Sequence, residues 1–225
     1  MHPKRIFAWL FVLMFSFFSV QGQDFDTDYD INPEYGLTVK ISPQHFFWGG
    51  LPLVGEYGVY IERRITQKSA VEGGLAYLGK GLMLLSMEAE ESYNSNNRIL
   101  GMSGFRVQGA YKFYINQKEK NTGFYAAPHF SFASAKYFEK YVGGTSANQA
   151  FIQAMHTDFS GILGIRWVFG RFSMETFAGA GYRNKHWLTK DYTGVSTLSE
   201  EEFRDLYIIT EPIVIKMGFK IGLQI

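Results

Sequence analysis

The final fourteen residues constrain this chain more than any others. From Pro212 the sequence runs Ile213, Val214, Ile215, Lys216, Met217, Gly218, Phe219, Lys220, Ile221, Gly222, Leu223, Gln224, Ile225. Every odd position is large and apolar, and from 216 every even one is Lys, Gly or Gln. Side chains alternate between the two faces of a strand, so this segment has one continuously apolar face and one small or polar face. A strand that crosses a bilayer at a tilt needs about 9–11 residues, against roughly 5–6 in an average soluble strand. The segment is long enough to span, and it implies a barrel in which this strand closes the sheet.

The opposite end points to the same compartment. Lys4 and Arg5 precede Ile6–Phe18, an uncharged, almost wholly apolar run, and Val20-Gln21-Gly22 offers a cleavage site. Residues 1–22 therefore have the form of a secretory signal peptide, cleaved before Gln23. The apolar run falls short of the roughly 20 residues a spanning helix requires.

Residues 23–34 form an acidic lead-in expected to lie in the periplasm. Its aspartates at 24, 26, 28 and 30 resemble the start of a calcium loop, but the sixth and twelfth places hold Tyr29 and Tyr35 instead of Gly and Glu. Residues 35–225 are expected to be the barrel, a single domain.

Composition excludes several functions. The chain has no cysteine, which removes disulfides, thiolate metal sites and thiol nucleophiles. A net charge of +1 implies no nucleic-acid partner. Aromatic residues make up 17% of the chain and glycines number 24, as suits girdle aromatics and crowded strands.

Eight alternating segments follow the lead-in: 35–42, 56–65, 69–78, 103–115, 123–136, 157–169, 172–183 and 213–225. In the fourth, Phe105, Val107, Tyr111, Phe113 and Ile115 oppose Arg106, Gln108, Ala110 and Lys112. Pro128 in the fifth cannot donate a ladder bond, so a local bulge or bend is expected there. Connections of two to seven residues alternate with long ones at about 43–55, 79–102, 137–156 and 184–211. Short turns at one end and long loops at the other are the pattern of outer-membrane barrels, which have an even strand number. The fold class is therefore all-β, an eight-stranded antiparallel up-and-down transmembrane barrel with periplasmic termini. A soluble barrel, apolar inside, is the rival.

Several stretches resemble the small eight-stranded outer-membrane barrels of Bacteroidota. They are Tyr60-Ile61-Glu62-Arg63-Arg64 with Ser69-Ala70-Val71-Glu72-Gly73-Gly74, then Gly161–Gly170 running into Phe177–Arg183, and last Lys216–Gly222. The resemblance covers most of the mature chain and implies a fold and a membrane; it is silent on activity. Such barrels usually end in an aromatic residue, whereas this chain ends in Ile225.

If the apolar face is outward, Lys40, Arg64, Arg106, Lys112, Arg166, Arg183, Lys216 and Lys220 point inward with Glu62, Glu72, Asp158 and Glu175. Charges in a narrow lumen must pair, so an ion-pair plug is expected in place of a gated pore. Two constellations have hydrolase residue types. His129-Phe130-Ser131 resembles the His-x-Ser of outer-membrane lipid A deacylases, which carry it on the lipid-facing surface, but parity here turns both residues to the lumen. Its acidic partner is not placed, Glu139 falling in the next loop. His156-x-Asp158-x-Ser160 spans about 13 Å along a strand, too far for a compact triad.

The long loops hold acidic and aromatic residues, among them Glu88, Glu90, Tyr137, Tyr141, Trp187 and Tyr207, with a capping box at Ser199–Glu202. They suit contact with a partner protein or a cationic ligand. The expected role is structural, accessory or surface-interacting in the outer membrane of a Gram-negative bacterium. The expectation is a monomer in outer-membrane lipid that is not an enzyme, with no catalytic, cofactor or metal site. The alternatives are a lipid hydrolase and a narrow pore.

Overall fold

The computed structural model describes residues 36–47, 54–66, 68–82, 85, 98–119, 122–141, 151–190 and 212–225. The expected signal peptide and acidic lead-in lie outside the described residues, as do most of the long connections and the expected Ser199–Glu202 capping box.

Among the described residues eight strands and one short helix follow in order. They are β1 (Leu37–Ile41), α1 (Gln44–Phe47), β2 (Val54–Thr66), β3 (Ser69–Lys80), β4 (Arg98–Glu119), β5 (Thr122–Tyr141), β6 (Phe151–Phe169), β7 (Phe172–Lys190) and β8 (Ile213–Gln224). Each strand pairs antiparallel with the next, and β1 pairs with β8, so the sheet closes into an up-and-down barrel. Short hairpins join β2 to β3, β4 to β5 and β6 to β7 at one end, where Leu37 and Ile225 also meet through a backbone hydrogen bond of 2.9 Å. In the β6–β7 turn Gly170 has φ +60°, the left-handed conformation that two-residue hairpins require.

The alternation places the apolar side chains outside. Leu75, Leu163 and Met217 are 65–67% exposed, and Ile61, Phe105, Phe113, Phe124 and Phe159 share that outer face. The inward face holds Lys40, Lys112, Glu62, Glu175 and Arg166, each 1–2% exposed. Two inward tyrosines lie over glycines directly across the ladder: Tyr60 is paired with Gly74 and Tyr125 with Gly164. A Cβ at either glycine would collide with the ring, so the glycines make the room that lets tyrosines cross the lumen.

Three features differ from the sequence expectations. First, β4–β7 run to 19–22 residues, and beyond the Leu78–Gly104 pair they continue as a four-stranded sheet. Tyr137, Glu139 and Tyr141 thus belong to β5, and Trp187 to β7, not to loops. The inward face there turns apolar, with Val54, Leu78, Met102, Ala133, Ala135, Tyr137 and Ala154 in one cluster. The polar half of the period-two signal disappears with it.

Second, there is no bulge at Pro128. The β4–β5 ladder omits two pairs between Ala110–His129 and Phe113–Ala126 without changing register, while Pro128 still pairs with Gly161 of β6. The missing N–H interrupts one ladder but leaves the register unchanged. The irregularities fall further on, between Tyr114 and Glu119.

Third, β1 stops at Ile41 and α1 takes its place in the wall. Above the Ile41–Ile221 pair, β8 pairs with β7 alone, and Val54–Gly58 of β2 pair with β3 alone. Ser42 and Pro43 start the helix, their carbonyls accepting from His45 and Phe46 N–H at 3.1 Å. Gln44 then hydrogen-bonds to the free edge of β8, its Nε2 donating to the Met217 carbonyl (2.7 Å) and its Oε1 accepting from Phe219 N–H (3.1 Å). Ser42 Oγ donates to the Phe219 carbonyl at 2.8 Å. Phe46 stacks on outward Tyr57, with ring centroids 5.5 Å apart.

Candidate functional site: the filled lumen

The inward charges assemble into two tiers. The tier nearer the hairpins centres on Glu62, Glu72 and Glu175. Lys40 Nζ donates to all three at 2.6–2.9 Å, and Lys112 Nζ does the same at 2.7–2.8 Å. Arg166 pairs with Glu62 and Lys220 with Glu72. Tyr125 donates to Glu175 at 2.6 Å, and Arg166 also reaches Thr38 Oγ1 at 3.0 Å. Lys112 lies 4.7 Å from the centre of the Tyr125 ring.

All eight strands supply these groups, so no single segment betrays the cluster. The three carboxylates bring oxygens within 4.8 Å of one another, close enough for a metal ion. Two ammonium groups already sit among them, so the arrangement is complete as an ion-pair cluster.

The second tier is a hydrogen-bonded chain nearer the long connections. Arg106 pairs with Glu56, which also accepts from Tyr60 (3.1 Å) and Gln108 (3.2 Å). His45 of α1 lies 3.1 Å from Tyr60 Oη and 3.8 Å from Glu56. Gln108 Oε1 is 3.1 Å from His129 Nε2, and Lys216 Nζ is 3.3 Å from His129 Nδ1. An ammonium can only donate, so Nδ1 accepts and Nε2 carries the proton of neutral His129. Donors therefore run one way, from Lys216 through His129 and Gln108 to Glu56. Lys216 also donates to Ser131 Oγ (3.0 Å) and lies 3.2 Å from Asp158, whose other oxygen binds Arg183 Nε at 2.7 Å.

The hydrolase-type residues are thus together but not in catalytic order. His129 and Ser131 face the lumen, 8% and 1% exposed. The acidic partner of Ser131 is Asp158, at 3.1 Å across the β5–β6 ladder, and not Glu139. Asp158 serves Ser131, Lys216 and Arg183 instead of orienting a histidine, and the hydroxyl beside His129 Nδ1 is that of Ser160, at 3.2 Å. A triad needs one base held by one acid against an accessible hydroxyl. His156 is buried at 2% exposure beside this group.

All twelve charges expected inside are where parity places them. Sequence reasoning missed Glu56, because the second strand was started at 56 and its inward row read from Gly58. It also missed His45, which reaches the lumen only through α1. No helix among the described residues is long and apolar enough to cross a membrane. Comparison of the chain with models of protein families, with curated proteins and with solved structures finds no match.

Proposed function

We propose that this protein is an outer-membrane barrel with a plugged lumen that acts as a structural or surface-interaction element and carries out no catalysis. The observation that carries this reading is the inverted polarity of the wall. Large apolar side chains are exposed around it, while Lys, Arg, Glu and Asp fill the interior. A soluble monomer rarely exposes a contiguous apolar patch beyond a few hundred Å². Lipid is the solvent in which such a wall is stable; the sheet closes through the β1–β8 ladder, and above it the side chains of α1 meet the β8 edge. Strands of 12 residues or more in β2–β8 meet the length a tilted crossing needs. With both tiers occupied by paired side chains, the interior resembles that of other eight-stranded barrels, which their own side chains fill. The long connections then fall outside the cell, where a rigid scaffold displays them to partners.

The test is membrane fractionation and unassisted insertion. The mature chain should co-sediment with outer membranes, resist carbonate extraction and migrate faster on gels before boiling than after. Recovery in the soluble periplasmic fraction would refute the reading.

A further inference from the structure

Among the described residues the wall has one place where side chains, not a backbone ladder, hold it shut. Along β8 the eight residues Ile213–Lys220 have no strand partner on the side away from β7 among the described residues. On β2 the facing stretch is Val54–Gly58. One absent strand leaves its neighbours about 9–10 Å apart, two strand spacings. Among the described residues only α1 stands in that seam, attached to β8 by Gln44 and Ser42 and to β2 by His45 and Phe46.

The seam separates two unlike surfaces. Outside it, Ile213, Ile215 and Met217 are 58–65% exposed beside Tyr57 and Val59. Inside, the Gln44 amide sits where a side chain at Gly218 would lie. The next inward position on β8 is Lys216, which starts the second-tier chain.

The interior carries more cations than anions. Lys40, Arg64, Arg106, Lys112, Arg166, Arg183 and Lys220 are buried with Lys216 nearly so, against buried Glu56, Glu62, Glu72, Asp158 and Glu175. That is eight cations to five carboxylates among the described residues. Arg106 Nε, buried in the second tier, has no hydrogen-bond partner. The ionic cluster closes this tier from the hairpin end, and the apolar cluster around Leu78 and Met102 closes it from the other. Among the described residues the seam is the remaining approach.

We propose that the β8–β2 seam admits a single-chain amphiphile with a carboxylate head, a long-chain fatty acid. α1 swings away and the carboxylate pairs with Lys216, while the acyl chain lies along the outer face of β8. A gap one strand wide suits one acyl chain, and the excess of cations selects an anionic head. The proposal rests on the membrane reading above, because it needs the apolar wall to face lipid.

The probe is cis-parinaric acid, a fluorescent eighteen-carbon carboxylate, titrated into the folded protein in detergent micelles, with its methyl ester as the uncharged control. The acid should bind saturably, one per chain, and at least ten-fold more tightly than the ester. Lys216→Gln should remove that difference. The chain has no cysteine, so Gln44→Cys with Gly218→Cys supplies one disulfide that ties α1 to β8. The oxidised pair should lose binding and regain it on reduction. Gln44→Ala, which removes only the two bonds that hold α1, should speed association several-fold and keeps the test open should the pair not fold.

Equal binding of acid and ester overturns the proposal, as does a lock or Gln44→Ala without effect. Displacement of the acid by phosphatidylglycerol more readily than by palmitate overturns the single-chain assignment. Liposome insertion, measured on the same preparation, separates the two readings. A barrel that inserts but binds nothing refutes the seam alone, and one that does not insert refutes the membrane reading.

Discussion

Removing opposite members of one ion pair in the first tier should cost unequal amounts. Lys40, Lys112, Lys220 and Arg166 there pair with Glu62, Glu72 and Glu175, four paired cations to three carboxylates, with buried Arg64 beside them over the Tyr114 ring. Glu175→Gln keeps the shape but leaves four cations against two anions in a dry interior. Breaking a buried pair in a way that strands charge costs about 3–5 kcal/mol. Lys112→Met removes more hydrogen bonds, yet it brings the ion-paired groups of the tier to three against three. Every carboxylate keeps a partner: Glu62 has Lys40 and Arg166, Glu72 has Lys40 and Lys220, and Glu175 has Lys40 and Tyr125. Its cost should be nearer the loss of hydrogen bonds alone, about 1–3 kcal/mol. The double variant should be less destabilised than the sum of the two, by about 0.5–3 kcal/mol. Urea unfolding in lipid vesicles, followed by tryptophan fluorescence, measures all three. If Lys112→Met proves as costly as Glu175→Gln or more so, hydrogen-bond count and not charge balance governs the plug. If neither changes the midpoint, water fills the lumen and the plug argument fails.

Met217→Arg puts a charge on the outer face and should hinder insertion by about 2–4 kcal/mol, where Met217→Leu is neutral; equal folding yields in vesicles would reverse the inside-outside assignment. In planar bilayers the wild-type protein should show no steady conductance, and large ion-selective openings would count for a pore. His129→Ala and Ser131→Ala should lower stability by about 1–3 kcal/mol through unpaired second-tier groups and leave membrane lipid composition unchanged. An acyl chain lost from lipid A on expression of the wild type, and retained with Ser131→Ala, would falsify the non-enzymatic reading.

The barrel was legible in the sequence because one physical constraint repeats at every strand. Wherever the outside is apolar and the inside polar, period two is visible, and all eight strands were located by it. Boundaries were lost where that contrast ends. At Ala133-Ser134-Ala135 three consecutive residues are buried at 8% exposure or less, so neither face stands out. The β4–β5 hairpin failed for another reason: polar Asn116–Glu119 look like a turn, but they are paired to the end of the strand at Glu119–Thr122.

The lumen was legible as a list of charges but not as an arrangement. Parity tells which way Lys112 points; it does not say that strands one, two, three and seven bring Lys40, Glu62, Glu72 and Glu175 to the same place. That depends on the register around the barrel, which the alternation of any one strand leaves free. The seam had a local signal that went unused. Ser42-Pro43 is a helix start, Ser at the cap and Pro in the first turn, and it sits where β1 should have continued upward beside β8. Had the strand run on, period two would have turned Gln44 inward with Thr38, Lys40 and Ser42 and His45 outward, away from Glu56. The helix start is therefore what brings His45 to Glu56 and Gln44 to the β8 edge. The segment in which the sequence least resembles a barrel strand is the one that makes this wall different from an unbroken cylinder.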